Sequence, residues 1–172
     1  MLKITGIALC IAGSGGYGWL KVNGWKMALH EIRIWMLLFQ KIKSCLLYQK
    51  ETLESGCIWL GEREESEQGR VLFRIGNRSR EERKKEFGMI WKEELDVWCK
   101  RTTLPPKVRN LLFQFPEYMQ ESDEQLQIQL FSSYMEELHR EEMLLEQQIR
   151  EQQKPVMAVS LVVGMMLSIL LV

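Results

Sequence analysis

Gly13, Gly15 and Gly18 have the GxGxxG spacing of a loop that lets a dinucleotide's pyrophosphate approach the backbone. In that setting Ile4–Ala12 would be the preceding strand and Glu31 the acid that holds a ribose. The motif also requires parallel strands around it, and no later segment supplies them. Other reactive residue types are scattered. The cysteines, Cys10, Cys45, Cys57 and Cys99, form no CxxC pair and no Cys/His ligand spacing, and His30 and His139 are isolated. That pattern fits buried apolar thiols in a reducing compartment better than a zinc site or a disulfide framework. Carboxylates such as Glu141 and Glu142 sit in charge-rich stretches where a solvated helix face explains them. His139, beside Arg140 and Glu141, reads as a rim histidine. Arg78–Lys85 holds five basic residues that could meet phosphate, lipid head groups or an acidic partner. Its interleaved glutamates favour a plain helix exterior. The residues therefore point to no enzyme: no catalytic, cofactor or metal site is expected.

Charge narrows the class further. The 172 residues carry 23 Lys/Arg and 23 Asp/Glu, a balance that argues against a dedicated nucleic-acid binder. The middle is mildly basic, with thirteen cations against ten anions over residues 61–110, and the last third is acidic, with three against ten.

Both ends are apolar. Residues 155–172 contain no charged side chain, and Lys154 is the last charge. As a helix this run spans ~27 Å, close to a bilayer's hydrocarbon core. Ile4–Leu20 is also uncharged, between Lys3 and Lys21. It competes as a membrane helix, a signal peptide with Met1–Lys3 as its basic start, or the dinucleotide loop above; the membrane helix is preferred. Ala8, Ala12 and Gly16 recur every four residues, as do Ser160, Gly164 and Ser168, giving stripes on which another helix can pack closely in lipid. Trp19 and Trp25 suit a membrane interface. Positive residues flank both segments on the side of the chain between them, so residues 21–154 are expected in the cytoplasm.

Between these ends the periodicity is helical. Leu29, Ile32, Trp35, Met36, Phe39, Ile42 and Leu46 mark one face of a first helix. A short helix is expected over 51–60, an acidic loop over 61–69, and an apolar island over 71–75 ended by Gly76-Asn77. Ser79–Glu82 has the form of a capping box for a helix bearing Phe87, Ile90, Trp91, Leu95 and Trp98. Leu104-Pro105-Pro106 breaks it, and a helix over 107–115 is limited by Pro116. Ser122–Gln125 is a second capping box, opening a long run through Leu126, Leu130, Tyr134, Leu138, Leu145 and Ile149 towards Lys154, with Pro155 as a kink. The expected fold is all-α: an N-terminal hydrophobic segment (1–21), a cytoplasmic helical bundle (22–154) and a C-terminal transmembrane helix (155–172).

The order of these features resembles the stage III sporulation protein AB family. Tyr48, Thr52 and Leu53 resemble its Tyr…Thr-Pro-Leu segment, with the proline missing. Ser122, Asp123 and Gln127 resemble its Leu-Gly-x-Ser-Asp-x-x-x-Gln motif, with Met119-Gln120 in place of Leu-Gly. A long polar helix meeting Lys154 before an apolar segment completes the likeness. The resemblance implies a helical domain similar to the cytoplasmic domain of type II secretion F proteins. It implies a non-enzymatic platform in the membrane of the mother cell around the forespore, within a channel-like assembly. Other membrane subunits and a secretion-type ATPase encoded nearby are the expected partners, with homo-oligomers a further option. The alternative is a generic membrane-anchored helical adaptor or regulator.

Overall fold

A computed structural model describes residues 2–49, 52–119 and 124–170; within them the side chains of 2–19, 21, 47–49, 124, 153 and most of 156–170 are not described. Six helices follow in order: α1 (Leu2–Gln49), α2 (Leu53–Arg63), α3 (Glu67–Glu81), α4 (Phe87–Cys99), α5 (Pro106–Met119) and α6 (Glu124–Leu170). No strand occurs among the described residues. Helix α1 runs through Gly13, Gly15 and Gly18, which overturns the dinucleotide reading: that motif needs a strand and a turn where a continuous helix stands. Among the described residues no helix is long and apolar enough to cross a membrane.

The chain divides into two compact units, His30–Glu142 on one hand, and Met1–Leu29 with Met143–Val172 on the other. In the second of these, Val22, Ala28, Leu29, Leu145 and Ile149 are buried. The larger unit is organised around aromatic rings. Phe39 stacks on Phe115 at 4.1 Å between centroids and meets Trp35 at 5.4 Å and Tyr134 at 5.6 Å. Trp91 lies 5.0 Å from Phe115. All five rings are fully buried, and pairs at these separations add roughly 0.5–1.5 kcal/mol beyond burial.

Proline 116 was expected to limit α5, yet the helix continues to Met119. A proline removes the N–H that would bond the carbonyl four residues back. Here that carbonyl is Leu112, and the Trp91 indole donates to it at 2.8 Å. The Tyr134 hydroxyl donates to the neighbouring Leu111 carbonyl at 3.2 Å. Two core aromatics thus fill acceptors in the region the proline disturbs. Pro155 also lies within a continuing helix, α6.

Helices α2 and α3 form an antiparallel pair where an acidic loop was expected. Ser66 starts α3, its hydroxyl accepting from the Gly69 N–H at 3.1 Å. Gly61 and Gly76 explain the intimacy of the pair. A Cβ on Gly61 would stand 2.5 Å from Phe73 Cβ and 2.7 Å from the Gly69 carbonyl oxygen. One on Gly76 would stand 2.6 Å from Ile58 Cγ1. Gly76 therefore does not end a helix; it admits α2. Ser79, expected to cap α4, lies buried in α3 and donates to the Glu54 carboxylate at 2.5 Å. Helix α4 instead begins after Glu86, with no side-chain cap. Leu126, expected inward on α6, is exposed.

Candidate functional site

Three of the residues singled out by sequence, Thr52, Leu53 and Gln127, fall at helix junctions. Thr52 is the N-cap of α2, accepting from the Ser55 N–H at 3.3 Å. Leu53 follows at the first helical position, where a proline is well tolerated because that N–H has no helical acceptor. Gln127 donates its Nε2 to the Met119 carbonyl at 2.9 Å. It thereby ties the end of α5 to the start of α6. Ser122 and Asp123 lie outside the described residues, as do the side chains of Tyr48, Ala8, Ala12, Gly16, Ser160, Gly164 and Ser168. Lys154 is exposed.

The titratable groups are occupied by one another. Arg78 bonds Glu82, Glu94 and Glu93 at 2.8–3.0 Å, holding its guanidinium firmly charged. Lys85 reaches Glu93 at 2.6 Å, and Arg74 reaches Glu94 at 3.0 Å. Hydrogen bonds from Lys85 and Arg78 hold the Glu93 carboxyl below its ordinary range. Burial opposes ionisation of Glu94, but Arg78 and Arg74 prevail and it too is lowered. Lys100, then Arg109, lowers Asp96. The cationic stretch expected at 78–85 is thus partly neutralised from α4.

A second set joins α1 to α6 within the larger unit. Arg33 Nε donates to Glu142 Oε1 at 2.6 Å, and His139 Nδ1 lies 2.9 Å from Oε2. Burial raises the Glu142 carboxyl, and these bonds outweigh it, leaving it lowered. Gln68, itself buried, donates to Glu31, whose carboxyl is raised by burial against the pull of His30. Sequence spacing gave no sign of this pair, because its members are 37 residues apart.

Nucleophiles are poorly placed. Cys45, Cys57 and Cys99 are buried thiols. Burial pushes the Cys57 thiol far up and that of Cys99 up to about 11, so neither is a thiolate at neutral pH. His139 is exposed and engaged by Glu142. Among the described residues no group of three or more His, Cys, Asp or Glu could hold a metal ion. The arrangement fastens helices and presents surfaces.

The model of one family, stage III sporulation protein AB, matches residues 3–172. The chain belongs to this family. That membership places its role in sporulation, and the family is not a known enzyme family. No curated protein and no solved structure matches the chain.

Proposed function

We propose that this member of the stage III sporulation protein AB family is a membrane platform subunit. It holds a helical domain in the mother-cell cytoplasm, at the membrane around the forespore. There it couples a secretion-type ATPase to other membrane subunits of a channel-like complex, without catalysing a reaction itself. The family match carries this reading, because it runs from the first apolar segment through the last. A second observation supports the membrane part. Val159, Val162, Val163 and Met166 recur at spacings of three and four along α6 and are 45–63% exposed. An apolar helix face left in water is costly, and lipid tails relieve that cost. In the bilayer the Ala8/Ala12/Gly16 and Ser160/Gly164/Ser168 stripes would be the packing faces between spans or subunits.

The test is a deletion strain together with affinity purification of the tagged full chain from sporulating cells. The expected result is loss of heat-resistant spores and co-purification of the ATPase. A normal spore yield would sink the reading. A sporulation defect with a monomeric chain that retains no ATPase would favour the anchored adaptor. Topology is read from a single cysteine introduced by Arg83→Cys, at an exposed position, in a cysteine-free background. A membrane-impermeant maleimide should not reach it in intact cells; efficient labelling overturns the cytoplasmic placement.

A further inference from the structure

The arginines along α3 and α4 are used unequally. Arg78 is saturated by three glutamates. Further along the same two helices, a cleft of about 120 Å³ is lined by Glu67, Arg70, Arg74, Val97, Trp98 and Arg101 among others. Arg70, Arg74 and Glu67 stand at helical spacings on α3, and Arg101 follows the end of α4. Arg70 and Arg101 are exposed, and no ion pair joins either to another described residue. Arg74 gives its Nε to Glu94. Trp98, 3% exposed, contributes to the wall, and its indole nitrogen is buried without a hydrogen-bond acceptor. Two guanidiniums that line one cleft without a carboxylate partner ask for an anionic acceptor.

We propose that this cleft binds a phosphoryl oxyanion, with Arg70 and Arg101 supplying charge and guanidinium donors and the Trp98 ring in the wall sensing its arrival. A carboxylate is the weaker candidate. Glu94 shows what satisfies one here: two arginine contacts, from Arg74 and Arg78, occupy its two oxygens. The cleft offers two guanidiniums with no carboxylate of their own and further donors on Arg74. A phosphate, with more acceptor oxygens and a second negative charge, uses that surplus. Glu67 at the edge repels any anion, and this makes it useful: its neutralisation strengthens the site. The inference does not depend on the platform reading, and either can fail without the other.

The experiment uses the full chain in detergent micelles with 15N-labelled tryptophan. The Trp98 indole resonance is assigned with Trp98→Phe. Inorganic phosphate is titrated at constant ionic strength against sodium chloride. The expected result is a saturable shift of the Trp98 indole signal with phosphate and none with chloride. Arg70→Gln and Arg101→Gln should each weaken binding about tenfold or more, whereas Glu67→Gln should tighten it severalfold. Both arginines are exposed, so the variants should keep the parent melting temperature. Adenosine diphosphate, titrated in parallel, separates the sources: tighter binding than phosphate assigns the cleft to a nucleotide's phosphate, and equal or weaker binding to free phosphate. An unmoved Trp98 signal, or one that moves equally in the Arg70→Gln/Arg101→Gln double variant, overturns the proposal. So does a Glu67→Gln chain that binds phosphate no better than the parent.

Discussion

The aromatic core and the α2–α3 seam are both tightly packed, but they reach that state by opposite means. In the core, large rings from α1, α4, α5 and α6 meet around Phe39 and fill space with side chains. In the seam, Gly61 and Gly76 remove side chains so that one helix lies against its neighbour's backbone. A core of rings fails by losing volume, and a glycine seam fails by gaining it. The same conservative-looking change to alanine therefore acts through cavity formation in one place and through collision in the other.

Phe39→Ala is expected to have the largest effect, about 3–5 kcal/mol of stability, read from the urea midpoint of the full chain in detergent. A loss below about 1 kcal/mol would mean the cluster is not the centre of the core. Gly76→Ala should cost about 1–3 kcal/mol although it adds only a methyl group, because Ile58 and the Glu54 carbonyl stand within 3 Å of the new atom. An unchanged melting temperature would show that α2 can withdraw freely.

Trp91 and Pro116 sharpen the contrast from within the core. Trp91→Phe leaves the Leu112 carbonyl without its donor, at a cost of about 1–3 kcal/mol from that group alone. Adding Pro116→Ala returns a backbone N–H at the right place in α5. The double variant should thus recover part of the loss, and a strictly additive cycle would refute the substitution of one donor for the other.

A smaller and pH-dependent effect is expected at Glu142. Its folded carboxyl lies below the ordinary value of 4.5, so its contribution is present above that value and is lost as pH falls through the lowered one. Arg33→Gln leaves burial less opposed and raises the folded value. The variant should then be less stable than the parent at pH 7, and the gap should narrow under acid. Equal gaps at pH 7 and pH 4, measured by urea unfolding, would assign Arg33 a packing role only. Smallest of all, Leu53→Pro should stabilise by about 0.4–1 kcal/mol, since the first helical position suits proline and the substitution restricts the unfolded chain.

The same contrast explains what could be read from sequence. Phe39, Trp91, Leu95 and Phe115 announce themselves because large apolar residues at spacings of three and four have few uses other than a buried helix face. Glycine carries the opposite local meaning. Gly61 and Gly76 look like breakers, and only the arrival of a second helix turns them into contact points, whereas Gly69 packs against Glu64 in the turn before its own helix. Ser79 misled for a related reason: its capping-box pattern is local, whereas its partner Glu54 is 25 residues away. Pro116 reads as a stop until Trp91 supplies the missing donor from another helix. The candidate cleft was legible only as individual arginines, because Arg70 and Arg101 come together through the α3–α4 turn and not through sequence spacing. Thr52 needs less context, since a threonine before a helical run can cap it from its own side chain, yet the helix expected over 51–60 placed it inside.

The Arg78 lattice has a consequence for how the α3–α4 junction responds to heat and salt. Charged groups lose hydration free energy as temperature rises, so a network of ion pairs holds relatively better when warm than an apolar contact does. Added electrolyte acts the other way, screening exposed pairs such as Lys85–Glu93 within about a Debye length. The α3–α4 junction should therefore keep its hold at temperatures that loosen the aromatic core, yet yield first when ionic strength climbs, giving the molecule one joint tuned to salinity and another tuned to warmth.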